Sequence, residues 1–266
     1  MLLIKVGGGK TINWEFVAQD LAKIVKKEQV IVVHGASAVR NEIAKRLNQP
    51  TKTVVSPSGI SSVYTNQKDL DIFLMVYAGL MNKKIVATLQ KYGINAVGLS
   101  GVDGKLWEGK RKSNLYIQEG NKTKLITDNL TGKVEKINAD LIYLLLENNY
   151  IPVICPPAIS YENEIINTDN DFAISVMAKT LNIKKLISLF EAPGMLKDPS
   201  NEKSVIPKIK SGEIDDYLRY AEGRMKKKLL GAKKAFEYGV KTIFWGDGRI
   251  KNPLTNAMTG KGTIIS

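Results

Sequence analysis

The 266-residue chain is 44% apolar and 24% charged, carries a net charge of +13 from 39 Lys+Arg against 26 Asp+Glu, and holds one cysteine. That length supplies the core of one large α/β domain, the single Cys155 permits no internal disulfide, and no apolar run approaches the ~20 residues that cross a bilayer. The first residues read as a strand rather than as a signal segment, so a cytoplasmic, reducing setting is expected and a membrane partner is not.

The surplus of positive charge calls for an anionic counterpart: nucleic acid, an acidic membrane surface, phosphate ligands or an acidic protein. The lysines are spread over many segments, with no zinc-finger spacing, RNA-binding aromatic signature or basic heptad region, which argues against nucleic acid. A lysine-rich surface that is merely solvated is the plain alternative.

In chain order, Met1 to Val6 form an apolar run suited to a buried parallel strand; Gly7, Gly8 and Gly9 stop it, and Lys5 is the one charge inside it. Asn13 is the expected N-cap of a helix bearing Trp14, Val17, Leu21, Ile24 and Val25. "QVIVVHGAS" (Gln29 to Ser37) repeats strand, small-residue turn and helix, the helix carrying Val39, Ile43 and Leu47, and two such units predict a parallel sheet. Ser56 to Asp69 reads as a polar loop. A helix with Leu70, Phe73, Leu74, Tyr77, Leu80, Met81 and Ile85 on one face comes next, then a strand in "INAVGLSG". From Asp103 to Ile137, short alternating runs with Gly, Asn and charged turns predict antiparallel hairpins inserted beside the parallel sheet. Alternation then resumes: a helix over Asn138 to Asn149, the strand "IPVIC", a helix in "NTDNDFAISVMAKTLN", the strand "KKLISLF", a turn-rich link, the basic helix "GRMKKKLLGAKKAFEYG", and strands "VKTIFW" and "GTIIS".

A glycine turn between strand and helix brings backbone N–H groups close to an anion, and the helix N-terminus adds about half a positive charge. Neither "KVGGGK" nor "VHGAS" has the Walker pattern or the dinucleotide fingerprint, so each alone reads first as an ordinary tight turn. Two of them at the ends of successive strands stand where ligands bind in open α/β sheets. Lys5, just before the first, either neutralises a phosphoryl oxygen there or snorkels to solvent from an edge strand.

Taken in order, "KVGGG", "VVHGAS", "VGLSGVDG", "INTDND", "LFEAPGMLKDP", "GRMKKKLLGAKKA" and "GKGTII" resemble the amino acid kinase superfamily, and within it the acetylglutamate kinase branch. The resemblance runs from the first strand to the last residues. It is strongest to archaeal kinases acting on aminoadipate, and in some members glutamate, attached through its α-amino group to a small acidic carrier protein. It implies an α/β fold, a three-layer αβα sandwich on a mainly parallel sheet of about eight strands with a β-hairpin insertion. One domain over 1–266 would comprise an N-terminal lobe, 1–165, for the amino acid and dimerisation, and a C-terminal lobe, 166–266, for ATP. A homodimer or an assembly of dimers is expected.

The implied reaction, in lysine and arginine biosynthesis, moves the γ-phosphoryl group of ATP onto a side-chain carboxylate, with Mg2+ held mainly by the nucleotide phosphates. By the resemblance, Lys5 and Lys228 stabilise the phosphoryl group and Asp171 orients both lysines. Gly7, Gly8, Phe190 and Gly194 fall on the ATP side, and Gly35, Ala36, Ser37, Ser62, Val63 and Asn167 on the acceptor side. Lys226, Lys227 and Arg224 rival Lys228 for its place. Taken without the family, Asp169 and Asp171 read as helix caps, and no EF-hand continuation comes after them, so no protein metal site is expected.

Three departures stand out: "HGAS" replaces HGGG, "LFEAPG" replaces LTDVPG, and Ser61, Ser62 and Val63 occupy the stretch where the family carries an arginine for the acceptor's α-carboxylate. The last weakens the case for a free N-acetylated amino acid. An acidic carrier fits the +13 charge through electrostatic steering, with Lys105, Lys110, Arg111, Lys112, Lys122 and Lys124 as the expected docking surface. Three alternatives stay open. One is an acetylglutamate kinase acting on free N-acetyl-L-glutamate. Another is a relative such as uridylate or isopentenyl phosphate kinase. The third is a basic nucleic-acid-binding protein that keeps the fold, against which the retention of Lys5, Lys228 and Asp171 speaks. His34 reads as structural, since an ionised carboxylate nucleophile needs no general base.

Overall fold

A computed structural model of the chain describes residues 1–55, 61–120, 122–221 and 223–266. Ser56 to Ile60, the first part of the expected polar loop, lie outside the described residues. Two strand–turn–helix units open the fold as the pattern requires: β1 (Leu2–Val6), α1 (Trp14–Ile24), β2 (Val30–His34) and α2 (Ser37–Arg46). Asn13 caps α1 by accepting from the Phe16 N–H at 3.1 Å.

The next stretch is more ordered than a loop. β3 (Thr53–Val55) pairs antiparallel with β4 (Ser61–Val63), and Asn66 and Asp69 form a capping box at the start of α3 (Gln67–Leu74). A π-helical turn over Met75–Met81 joins α3 to α4 (Asn82–Lys91). The resulting helical run, Gln67–Lys91, is long and apolar enough to span a bilayer, yet Ile72, Phe73, Val76, Tyr77, Ile85 and Leu89 are buried in protein. One face of the run packs in the core of this domain.

β5 (Ala96–Ser100) leads into the inserted region. β6 (Trp107–Arg111) and β9 (Thr131–Ile137) pair antiparallel, and β7 (Leu115–Glu119) with β8 (Lys122–Ile126) form an antiparallel hairpin between them in the chain, antiparallel pairing being what the turn pattern predicts. After α5 (Ala139–Glu147) and β10 (Ile151–Cys155) come two short strands that the sequence pattern missed. These strands, β11 (Ala158–Ser160) and β12 (Ile165–Thr168), close with β6 and β9 into a small barrel. Strands of three and four residues carry too little alternation to be seen in sequence. α6 (Asn170–Thr180), β13 (Lys185–Phe190), β14 (Lys208–Ile209), α7 (Gly223–Glu237), β15 (Thr242–Asp247), α8 (Pro253–Met258) and β16 (Thr263–Ile265) complete the chain, with a 3-10 segment over Ser211–Tyr220.

The main sheet has the order β14-β16-β15-β13-β1-β2-β10-β5, parallel throughout except for β15 against β16. Helices cover both faces. Leu2, Ile4 and Val6 pack with α1, α4 and α8, whereas Leu3 joins Ile31, Val33 and Ile154 against α5, α6 and α7. Side chains alternate along a strand, so Lys5 shares the face of Leu3 and points toward α6.

α8, which has no counterpart among the elements expected from sequence, is anchored by Asp20. This wholly buried carboxylate on α1 accepts from the Thr255 N–H at 2.8 Å and from its hydroxyl at 2.7 Å. Asp20→Ala would leave the first turn of α8 without an acceptor, at a cost of about 2 kcal/mol. A thermal melt should show the midpoint falling by about 4–8 °C; an unchanged melt would mean that α8 is held by packing alone.

Candidate active site

β1 lies where the strand order turns, with β2, β10 and β5 on one side and β13 and β15 on the other. The carboxyl ends of the strands therefore open a crevice there. The two glycine turns meet in it. Gly35 N–H donates to Val6 O at 2.9 Å, and Ala38 N–H and Ser37 Oγ donate to Gly8 O at 2.8 and 3.2 Å. A Cβ on Gly8 would stand 2.4 Å from the backbone nitrogens of both Ala36 and Ser37, so only glycine permits this approach. Beside them lies a cleft of about 120 Å³ lined by Gly8, Gly9, Lys10, Trp14 and Ala36. Gly7 N–H is committed to Leu189 O at 2.8 Å, which leaves Gly8 as the expected donor that has no protein acceptor among the described residues. Glu191 accepts from Thr11 N–H and Oγ1, both at 2.7 Å, and ties the first turn to the β13 end.

Lys5 Nζ donates to Asp171 Oδ1 at 2.8 Å, and Lys228 Nζ stands 3.5 Å from the same oxygen. The three side chains of Lys5, Asp171 and Lys228 are 6%, 18% and 11% exposed. Local structure explains the meeting. Asp169 caps α6 by accepting from the Asp171 N–H at 2.8 Å, which fixes Asp171 in the first turn. α7 crosses α6 at Gly231, where a Cβ would lie 2.9 Å from Asp171 O, and Ser175 Oγ bonds both Asp171 O and Gly231 O. Lys228, three residues before Gly231, is on the face turned to α6. Burial acts to raise the Asp171 carboxyl, but the Lys228 and Lys5 ammonium groups outweigh it and hold it down to about 2. Burial pushes Lys228 down to about 8, with Asp171 acting against it and Lys5 reinforcing it; for Lys5 burial also acts downward, yet Asp171 prevails and its pKa is raised.

Burial separates Lys228 from its rivals. Lys226 and Arg224 are exposed, and Lys227 reaches Asp169 Oδ2 only at 3.8 Å. Residues 1–244 match the amino acid kinase family. The chain belongs to that family. It is 43% identical to the LysW-aminoadipate kinase of Thermus thermophilus, with each chain covered in full, and 44% identical to the LysW-aminoadipate kinase of Deinococcus radiodurans, covering 100% of this chain and 91% of that one. A LysW-aminoadipate/LysW-glutamate kinase of Saccharolobus solfataricus is 32% identical, covering 100% and 99%. Among solved structures, N-acetylglutamate synthase from Neisseria gonorrhoeae shares the fold, with a TM-score of 0.80 at 19% identity over 100% of this chain and 59% of that one.

On the other wall of the kinase crevice, Asn167 Nδ2 donates to Thr65 Oγ1 at 2.9 Å, drawing the segment after β4 toward β12. Ser62 and Val63 sit half-buried on β4, paired with Val54 and Thr53. His34 is neutral, pushed down to about 4 by burial, and its ring lies between Gly35 O at 3.3 Å and Asn82 Nδ2 at 3.1 Å. Phe190 lies under Lys228, 5.3 Å from Nζ to the ring centre, while Gly194 packs against Thr263 rather than at the glycine turns. Sequence reasoning missed Arg40 and Asn170. Asn170 Nδ2 donates to His34 O at 3.0 Å and its buried Oδ1 has no partner. Arg40 carried no distinguishing signal, since α2 holds several charged residues and only its packing buries this one.

Asp171→Asn would leave two buried ammonium groups without their counter-charge, costing about 3 kcal/mol at neutral pH. A carboxyl lowered by folding stabilises above its ordinary value near 4, and that contribution is lost as the pH falls through about 2. The gap in unfolding free energy between wild type and D171N should therefore narrow from pH 5 to pH 2 in denaturant titrations; a gap that does not change with pH would remove Asp171 from its assigned role.

Proposed function

We propose that this kinase transfers the γ-phosphoryl group of ATP to the side-chain carboxylate of aminoadipate held through its α-amino group on the acidic carrier protein LysW, with glutamate as a second acceptor. The observation that carries this reading is the buried Lys5–Asp171–Lys228 cluster at the end of β1, in a chain whose close relatives bear that activity in their names. The chain is a phosphotransferase of amino-acid biosynthesis.

The chemistry needs alignment and positive charge rather than proton transfer. An acceptor carboxylate oxygen attacks the γ-phosphorus, the bond to the bridging oxygen breaks, and ADP leaves with the bonding electron pair. The acceptor is ionised at neutral pH, so no base is used. Lys5 neutralises charge on the transferring group, and Lys228 stands on the leaving side. Lys228, held down to about 8 by burial, regains its proton affinity when phosphate oxygens approach, because a neighbouring anion favours the ammonium form. Asp171 keeps the two lysines from repelling each other out of place. Magnesium supplies further charge neutralisation when the nucleotide brings it. Among the described residues no group of three or more His, Cys, Asp or Glu side chains is placed to hold it alone, and Asp169 and Asp171 are engaged with backbone and lysines. The lobe over 166–266 carries the ATP side and that over 1–165 the acceptor side, in a cytoplasmic dimer.

Two features favour the carrier-attached acceptor over free N-acetyl-L-glutamate: the +13 charge and the absence of an arginine at Ser61 to Val63. The docking surface lies on the inserted hairpins, where Lys110, Lys112 and Lys122 are exposed. Arg111 does not belong to it. Its guanidinium bonds Glu164 at 2.7 Å and Asn129 O at 3.1 Å, an internal pin of the small barrel.

The deciding assay is acyl-phosphate formation from ATP, trapped with hydroxylamine, offering aminoadipate and glutamate in free, N-acetylated and carrier-attached form. Turnover confined to the carrier-attached acceptors is expected; equal turnover of free N-acetyl-L-glutamate would replace this reading with the second one. Reversing the charge of Lys110, Lys112 and Lys122 together should raise KM for the carrier about tenfold or more, flatten its salt dependence and leave kcat alone. An unchanged KM would put docking elsewhere.

A further inference from the structure

Arg40 is 7% exposed, and its Nε has no hydrogen-bond partner. Among the described residues no carboxylate comes within ion-pair distance of its guanidinium. Burial acts on it most strongly and downward, opposed by the Tyr77 hydroxyl and then by Asp69, whose two oxygens are taken by Gln49 Nε2 at 3.0 Å and the Asn66 N–H at 3.2 Å. A guanidinium does not give up its proton in a protein, so burying one without an anion is expensive. Either the fold tolerates that cost for nothing, or an anion arrives with a ligand.

Its place in the fold favours the ligand. Arg40 lies one turn into α2, its N–H bonded to Ala36 O at 2.9 Å, directly above the second glycine turn. Tyr77 packs with Ala36 in one apolar cluster; burial raises its hydroxyl and the Arg40 charge acts against that. The first turn of α2 also lines the cleft beside the glycine turns, through Ala36, Ala38 and Val39. Asn170, with its unpartnered Oδ1, meets the same turn from α6 through His34 O.

An amino acid attached through its amino group still carries two carboxylates. One accepts the phosphoryl group; the other needs a cation, and Ser61 to Val63 offer none. We propose that Arg40 binds the acceptor's α-carboxylate, the one that is not phosphorylated, and so sets the pose of the other. This rests on the carboxylate-kinase reading above.

The test uses Arg40→Met in the full chain. Without ligand the variant should melt at or above the wild-type temperature, because an uncompensated buried charge is removed. With carrier-attached aminoadipate its KM should rise on the order of 100-fold while kcat stays near wild type. With carrier-attached 5-aminopentanoate, which lacks the α-carboxylate, the two proteins should have the same KM. A ligand-free variant that melts lower, or a KM that rises equally for both acceptors, would overturn the assignment and make Arg40 structural. If wild type phosphorylates no acceptor at all, the carboxylate-kinase reading fails separately. The assignment is then decided by melting with the dicarboxylate glutarate as probe: stabilisation of wild type but not of R40M supports an anion site, and equal responses refute it.

Discussion

One carboxylate holds two buried ammonium groups, and the crevice is organised around that arrangement. Lys5 and Lys228 come from β1 and α7, 223 positions apart in sequence, and would repel each other strongly in a desolvated setting. Asp171 makes their proximity tolerable by accepting from one at 2.8 Å and standing 3.5 Å from the other. The arrangement keeps one net positive charge among the three, poised for an anion. Burial works against both ammonium groups; Asp171 prevails at Lys5, and at Lys228 burial prevails with Lys5 reinforcing it. Much of the surrounding sequence serves this contact. The Asp169 cap fixes Asp171, Gly231 lets α7 close on α6, and alternation along β1 aims Lys5 at α6 rather than at α1.

Each element is legible in the chain to the extent that its physical signal is strong. Strands such as "LLIKV" and "VIVVH" are wholly apolar but for one residue, and helices with a clear apolar face leave a periodic trace; both were placed within a residue or two. Lys5 was conspicuous because a charge in a buried strand contradicts its surroundings. β11, β12 and α8 left no trace, since three to six residues are too few for a period to register and their stability comes from partners far away in sequence, such as Asp20 for α8. Arg40 escaped for a different reason. A positive residue in a helix is ordinarily solvated, and only the packing of α2 against the run Gln67–Lys91 reveals that this one is buried.

The basic surface and the crevice make separate demands on charge. Exposed lysines on the hairpins act over about a Debye length of 8–10 Å, and under the docking proposed above they would set how fast the acidic carrier arrives. The buried set of Lys5, Lys228 and Arg40 acts at contact distance in a medium where each charge matters far more. Arg111 shows that residue type alone does not say which set a cation belongs to. It lies between exposed Lys110 and Lys112, yet it bonds Glu164 and Asn129.

The two glycine turns are in effect one structural element. Gly8 O receives the Ala38 N–H and the Ser37 hydroxyl, and neither turn has room for a Cβ at their contact. The first turn sits at the end of the strand that carries Lys5; the second begins the helix that carries Arg40. A group held over the first turn and one held over the second are thus positioned by one set of hydrogen bonds between the turns, with little freedom to drift. In-line transfer between two bound molecules asks for that rigidity, because an error of about 1 Å in their relative placement is costly in rate. The departure from HGGG to "HGAS" is then intelligible. Ala36 and Ser37 keep their backbone nitrogens against Gly8, while Ser37 adds a hydroxyl that strengthens the joint between the turns.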